Sequence, residues 1–496
     1  MRLFSMNPVQ ARARLVYGGA ALVVSALIAG CGSTYRPVVT PVTPSGPAAQ
    51  PATNVVVVSA PSITTPGIAT IIDYAGDSVL ALAPIGPGPL TFTLDETGSS
   101  GYTLNSDGTL SNFPVSSTLQ AKQVTYTTLP TTAQPVNLFS PSAGLFAADL
   151  TGNVTDAFTG FPQTFKLAIP VGTTPVSIIG PASSSQRVFA ITQGSIATGV
   201  DCNNSPTTGP TGVANGLELT SYTLSSSIPV GKCPVFGVMS ADNSRLFVLN
   251  RGDDTVTVIN SQNNTLDSCT PFVNQAGQTV NCHPVLPLST AAVTSTGVTP
   301  PNGTTGMGAI AGPVYAEYNL ATGQLIVADY DGGTISVIDV SEDEYGNDSS
   351  TFGTTFTIPV GTNPASVTVL ADGSRAYTAN QTDETVTIVA LSSHTVEKTL
   401  PITGHPRTVV STQNSQFGKV YVASPDSPYL TILRTDLDIV DTTVLVEGNI
   451  VDVRTATQTG TPGNNHNVSR RPGYGEPCYL PGVANSATLV LCQTLP

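Results

Sequence analysis

Short apolar runs alternate with polar turns along most of this chain. Ser240 to Asn260 shows the unit most plainly. It has a polar turn at Asp242-Asn243-Ser244, an apolar run Leu246 to Leu249, a turn Asn250 to Asp254 that contains Gly252, and a Thr/Val run Thr255 to Ile259. Two β-favouring runs joined by a short glycine-containing turn predict a hairpin. Variants recur when the chain is aligned on a proline that precedes an apolar run. These anchors are Pro89, Pro135, Pro175, Pro234, Pro313, Pro364 and Pro406, at spacings of 46, 40, 59, 79, 51 and 42 residues. The shortest spacings approximate one unit, and the longer ones imply insertions. A shared phrase precedes several anchors: Ile169-Pro170-Val171-Gly172, Ile228-Pro229-Val230-Gly231 and Ile358-Pro359-Val360-Gly361, with a weaker copy at Pro401-Ile402-Thr403-Gly404. Outside the N-terminus no sustained i, i+3, i+4, i+7 stripe appears, so helix is not expected.

A unit of this length with four short strands is the sequence sign of a β-propeller blade. Seven units predict an all-β, seven-bladed propeller over residues 55–455. Ring closure borrows a strand from the opposite terminus, and Val55 to Val58 or Ala69 to Leu82 can supply it. Those segments and the C-terminal tail can also assemble an eighth, composite blade. Ser240 to Asn260, Ala371 to Val389 and Gly418 to Leu433 resemble the YVTN-type propeller repeat of bacterial and archaeal surface proteins. Val420-Tyr421-Val422-Ala423-Ser424 is close to the signature itself, and Arg375-Ala376-Tyr377-Thr378-Ala379-Asn380 is another copy. Gly144 to Asn153 and Arg187 to Gln193 are degenerate copies. Blades cover one another on both faces, so inner strands should be apolar throughout. Leu246 to Leu249 and Leu325-Ile326-Val327-Ala328 fit that expectation.

Composition supports the picture. Gly (46) and Pro (40) are abundant and only 10% of residues are charged. The net charge is -14 with 18 Lys and Arg, none of them clustered, which disfavours a nucleic-acid partner. At the N-terminus Arg2, Arg12 and Arg14 precede an apolar segment, Leu15 to Ala29, which ends in Leu27-Ile28-Ala29-Gly30-Cys31. This resembles a bacterial lipobox, with cleavage after residue 30 and acylation of Cys31. Gly32 is not the aspartate that favours inner-membrane retention in enterobacterial lipoproteins. The resemblance therefore implies a cell-envelope location, on the periplasmic or surface side of the outer membrane, anchored through acyl chains. Residues 31–54 then form the lipidated cysteine and a Pro/Thr/Ser/Ala-rich linker.

If Cys31 is acylated, six cysteines remain: Cys202, Cys233, Cys269, Cys282, Cys478 and Cys492. An even number in an exported chain argues for disulfides, with fifteen connectivities open. In a blade with strands a to d, the b–c turns and d–a loops share one face of the disc. Cys202 falls in a b–c insertion and Cys233 in the next d–a loop, so the blade register predicts that they pair. Sequential pairing is expected throughout, with the last pair in a tail of residues 456–496.

Insertions at about 193–221 and 268–312 should project from that same face. Its turns and loops also carry Lys232, Asp253, Asp254, Asp329, Asp331, Asp383, Glu384, His405, Arg407 and Asp426. Loops on a rigid scaffold commonly carry binding residues, although Asp and Gly are favoured in any turn. Other motifs read as structure. Arg251-Gly252-Asp253 is what the repeat's turn requires. Gly76-Asp77-Ser78 has no catalytic base downstream. Gly306 to Gly312 departs from GxGxxG. The acidic stretch Asp339 to Asp348 reads as a solvated turn rather than a calcium loop, since EF-hand spacing is absent. His283, His394, His405 and His466 are scattered, and neither CxxC, CxxCH nor HExxH occurs.

The expected function is a non-catalytic binding or scaffold module for an envelope macromolecule or glycan, with no cofactor, no metal and no catalytic residue assigned. The alternative is a lactonase-like hydrolase or a degenerate quinoprotein-like oxidoreductase. It requires His405, Arg407 and two acids to converge at the channel mouth.

Overall fold

The computed structural model describes residues 54–456, apart from 131–132, 134, 142–143, 181–186, 196–201, 203–205, 274–276, 278, 289–310, 344–345 and 413, and then residues 477–478 and 490–491. Eight antiparallel sheets follow one another around a ring, and the expected composite blade is one of them. In blade 1 the innermost strand a is C-terminal, Asn449–Ala456. Strands b, c and d are N-terminal: Asn54–Ala60, Pro66–Asp73 and Val79–Pro87. Both ends of the propeller therefore meet in one sheet, where Val56 pairs with Arg454 and Val58 with Asp452. Blades 2 to 8 are continuous, with strands a at Pro89–Leu94, Pro135–Phe139, Pro175–Ile179, Pro234–Met239, Pro313–Asn319, Pro364–Val369 and Thr408–Thr412. Adjacent inner strands touch in that order, and the last touches blade 1.

The proline anchors have a local cause. Six of them open strand a opposite the last residue of strand b, and the register shifts immediately afterwards, as at Pro234/Phe236 and Pro364/Ser366. Proline has no N–H to donate, so a sheet accepts it at the first residue of a strand or at a bulge. Blade 8 departs from the rule, because Pro406 precedes its strand a by two residues. The only helical turns among the described residues are two short 3-10 turns, Ala121–Gln123 and Pro206–Thr208.

The core lies between blades rather than inside any one. One apolar cluster runs from blade 3 to blade 7, and four smaller ones fill the remaining interfaces. Leu246 to Leu249 and Leu325 to Ala328 are wholly buried, as expected for strands covered on both faces. Around the inner ring, side chains replace sheet hydrogen bonds. Each reaches the backbone of the next inner strand: Ile178 N–H donates to Asn137 Oδ1 (2.8 Å), Val369 N–H to Glu317 Oε1 (3.1 Å) and Ser411 N–H to Thr368 Oγ1 (3.0 Å). A buried N–H left unpaired would cost roughly 1–3 kcal/mol, so these polar side chains are structural.

Candidate functional site

The face formed by b–c turns and d–a loops is held by a repeated tie. Lys232 N–H donates to Asp253 Oδ2 (2.6 Å), Thr362 N–H to Asp383 Oδ2 (2.6 Å) and His405 N–H to Asp426 Oδ1 (2.8 Å). In each case the loop entering a blade donates to the b–c turn of that same blade, 21 residues on. The chain passes from one sheet to the next there, Lys232 being the last residue of strand d in blade 4, and the turn carboxylate accepts the N–H. The next turn residue reaches forward to the following blade. Gly312 N–H donates to Asp254 Oδ1 (2.8 Å), and Glu384 Oε1 lies 3.6 Å from His405 Nε2. Burial raises the Asp254 carboxyl above its usual range, and the neighbouring Asp331 charge pushes the same way.

Other predicted residues join this belt or leave it. Asp331 binds Arg251 through both carboxylate oxygens, at 3.0 and 2.8 Å. Arg251 is 2% exposed, so the Arg-Gly-Asp tripeptide is a structural turn. Lys232 Nζ donates to the Thr207 carbonyl (3.2 Å) and stays accessible. Two assignments need correction. Asp329 is the last residue of strand b in blade 6, not a turn residue, and it is completely buried. It accepts hydrogen bonds from Ser336 Oγ (2.7 Å) and Thr334 Oγ1 (3.1 Å), and burial pushes its carboxyl up to about 7. Arg407 is buried as well, and its guanidinium donates to the Val451 carbonyl on the inner strand of blade 1. Their neighbours in sequence are turn residues, and nothing in composition shows which side chains point inward.

The first insertion sits where the register placed it. Cys202 and Cys233 are bonded, which joins the b–c insertion of blade 4 to the loop entering blade 5. Both are buried beneath Gly209, where a Cβ would lie 2.0 Å from the Cys233 sulfur. Cys269 and Cys282 are also bonded, again in sequence. Cys31 and Cys492 lie outside the described residues, so the last pairing and the lipid site fall there too.

The second insertion divides in two: residues 289–310 lie outside the described residues and are flanked on the loop face, where Leu288 N–H donates to the Asp254 carbonyl (2.8 Å), whereas the stretch before Val285 leaves elsewhere. Strand d of blade 5 is split into Thr265–Leu266 and Val285–Pro287, both pairing with Thr255–Asn260, and the chain between them leaves midway along the rim. There it meets the a–b and c–d end of the disc. Arg245, 6% exposed, donates to Asp267 (3.0 Å), Glu342 (2.6 Å) and Asp348 (2.7 Å). His283 Nδ1 lies 2.7 Å from the other oxygen of Asp348, and its ring stacks on Phe352. The acidic stretch expected to be a solvated turn is therefore partly an anchor. A sequence signal did exist: Arg187, Arg245 and Arg375 each open a strand b, and each pairs with an acid.

Among the described residues, no group of three or more His, Cys, Asp or Glu is placed to hold a metal ion, and no helix is long and apolar enough to cross a membrane. No family model matches the chain, and no curated protein matches it in sequence. Among solved structures, apo AztD from Citrobacter koseri is similar with a TM-score of 0.53 at 11% identity, over 82% of this chain and 97% of that one. Sqt1 from Saccharomyces cerevisiae is similar with a TM-score of 0.52 at 9% identity, over 77% of this chain and 94% of that one. At such identities the likeness is one of fold, and the class of protein is a β-propeller.

Proposed function

We propose that the protein is an envelope lipoprotein of the YVTN-repeat kind, anchored through Cys31, whose propeller is a non-catalytic binding module for an envelope protein or a glycan. The observation that carries the binding reading is the platform itself. Three carboxylate ties and a buried disulfide fix the loops of one face, while Lys232 and Glu384 stand on it with side chains 43% and 53% exposed. Preorganised loops bind with little ordering cost. One grouping favours an enzyme instead: His405 lies between Asp426 and Glu384. However, Arg407 is turned into the inner wall, and the Asp426 tie is the one that Asp253 and Asp383 make without a histidine.

The test is chemical cross-linking of the full-length protein in its own envelope. Lys232→Glu combined with Glu384→Lys should lose the partner or glycan that the parent captures. Ser393→Lys, on the c–d side, should keep it. Equal capture by all three would refute the loop-face reading. Cys31→Ser should release the protein from membranes, and continued membrane association would refute the anchor.

A further inference from the structure

The two described disulfides differ in what surrounds them. Cys202 and Cys233 are fully buried, and their bond holds an insertion of one blade to the entry loop of the next. Cys269 is exposed and Cys282 half-buried, and they are 13 residues apart. The flanks of this second bond are anchored without it. On the N-terminal side, Asp267 N–H donates to the Val258 carbonyl (3.0 Å), and the Asp267 carboxylate holds Arg245. On the C-terminal side, Val258 N–H donates to the Pro284 carbonyl (2.9 Å), His283 holds Asp348, and Val285–Pro287 pairs with Thr255–Thr257. Opening the bond therefore leaves blade 5 with both pieces of its outer strand in place.

We propose that Cys269–Cys282 is a thiol–disulfide exchange site that a dithiol partner opens while Cys202–Cys233 stays closed. Exchange requires a thiolate to reach a sulfur, so access decides which bond reacts. The partner's first thiolate attacks the exposed Cys269 sulfur. A mixed disulfide forms, and Cys282 leaves as a thiolate. The partner's second thiolate attacks its own sulfur in the mixed disulfide and releases the Cys269 thiolate. The partner departs as a disulfide, two electrons have passed to this chain, and both new thiolates take up protons from solvent.

The full-length oxidised protein would be exposed to graded dithiothreitol, alkylated with iodoacetamide and mapped by peptide mass. Cys269 and Cys282 should be alkylated at least tenfold faster than Cys202 and Cys233, with the circular dichroism unchanged. Equal rates, faster alkylation of the buried pair, or loss of structure in step with the first alkylation would overturn the proposal. A second measurement guards it: Cys269→Ser with Cys282→Ser should fold with a thermal midpoint within a few degrees of the parent. Failure of that double variant to fold would count against an exchange site, because it would make the bond structural.

Discussion

Blades 6 and 7 are neighbours built on the same four-strand plan, and the buried residue that ends strand b differs between them. Strand b of blade 7, Arg375–Asn380, ends in Asn380, whose amide donates to Thr385 Oγ1 (3.0 Å), Thr387 Oγ1 (2.8 Å) and the Val360 carbonyl (3.3 Å). Blade 5 does the same with Asn250. Strand b of blade 6, Gln324–Asp329, ends in Asp329, which reverses the bonds: Thr334 and Ser336 donate to it. One oxygen, Oδ1, is left buried without a partner. An amide both donates and accepts, whereas an ionised carboxylate only accepts. In blade 6 the two hydroxyls therefore donate where the amide of blades 5 and 7 donates, and burial of the acid favours its protonated form. Blade 3 makes a related exchange, with Asp149 ending strand b and Asp156 on strand c, where burial and the Asp149 charge push Asp156 up to about 7.

Exchanging the two residues tests this directly. Asn380→Asp should have the largest effect. At pH 8 it removes three donated bonds and buries a charge, for a loss of about 3–5 kcal/mol by denaturant unfolding. At pH 5 much of that should return as the new carboxyl takes up a proton. A loss independent of pH would mean that geometry, not charge, sets the preference for Asn.

Asp329→Asn should act in the opposite direction. A carboxyl at about 7 in the fold and 3.8 in the open chain gives stability that is fully present below pH 4, falls as pH rises to 7, and is constant above. The upper limit of that fall is roughly 4 kcal/mol. The asparagine variant should gain about 2–4 kcal/mol at pH 8, little at pH 4, and lose most of the slope between them. Desolvation is the largest cause of the shift; Asp254 and Asp331 add to it and the two hydroxyls oppose it. A variant with an unchanged slope would place the titration elsewhere, Asp156 being the next candidate.

These two positions also mark what can be read from sequence. The repeat was legible because proline, glycine and apolar runs mark strand starts and turns, and six anchors open a strand a. The buried disulfide was legible because the blade register places Cys202 and Cys233 on one face. Three features escaped. The inner strand Asn449–Ala456 lacks a proline, and its partners lie almost the whole chain away, so the sequence alone does not decide between seven blades and eight. Asp329 resembles its turn neighbours because inward direction is set by strand register. The split outer strand of blade 5 consists of pieces of two and three residues, too short to show alternation. That is why the excursion between these two pieces is not legible in the sequence.

The carboxylate belt offers a smaller contrast between the same two blades. Asp383→Ala would strand the Thr362 N–H at the entry to blade 7, which should cost about 1–2 kcal/mol. In blade 6 the turn carboxylate of Asp331 is directed to Arg251 instead. Asp331→Ala should therefore loosen the contact with blade 5 rather than the loop entering blade 6. Hydrogen exchange separates them: Thr362 should lose protection in the first variant and keep it in the second.

Glu384 is the finest probe. It sits in the left-handed region at φ 53, where blades 2 and 6 place Gly108 and Gly333 at φ 75 and 66. That conformation costs an L-residue about 1–2 kcal/mol. Glycine removes the strain but adds freedom to the unfolded chain and gives up the 3.6 Å contact with His405. The contact involves an exposed side chain and contributes little. Glu384→Gly should therefore raise stability by about 0.5 kcal/mol, measured by denaturant midpoint. A fall of 1 kcal/mol or more would mean that the Glu384–His405 contact outweighs the strain. The strain would then be kept for a reason, and the tie between blades 7 and 8 would be part of what holds the loop face in place.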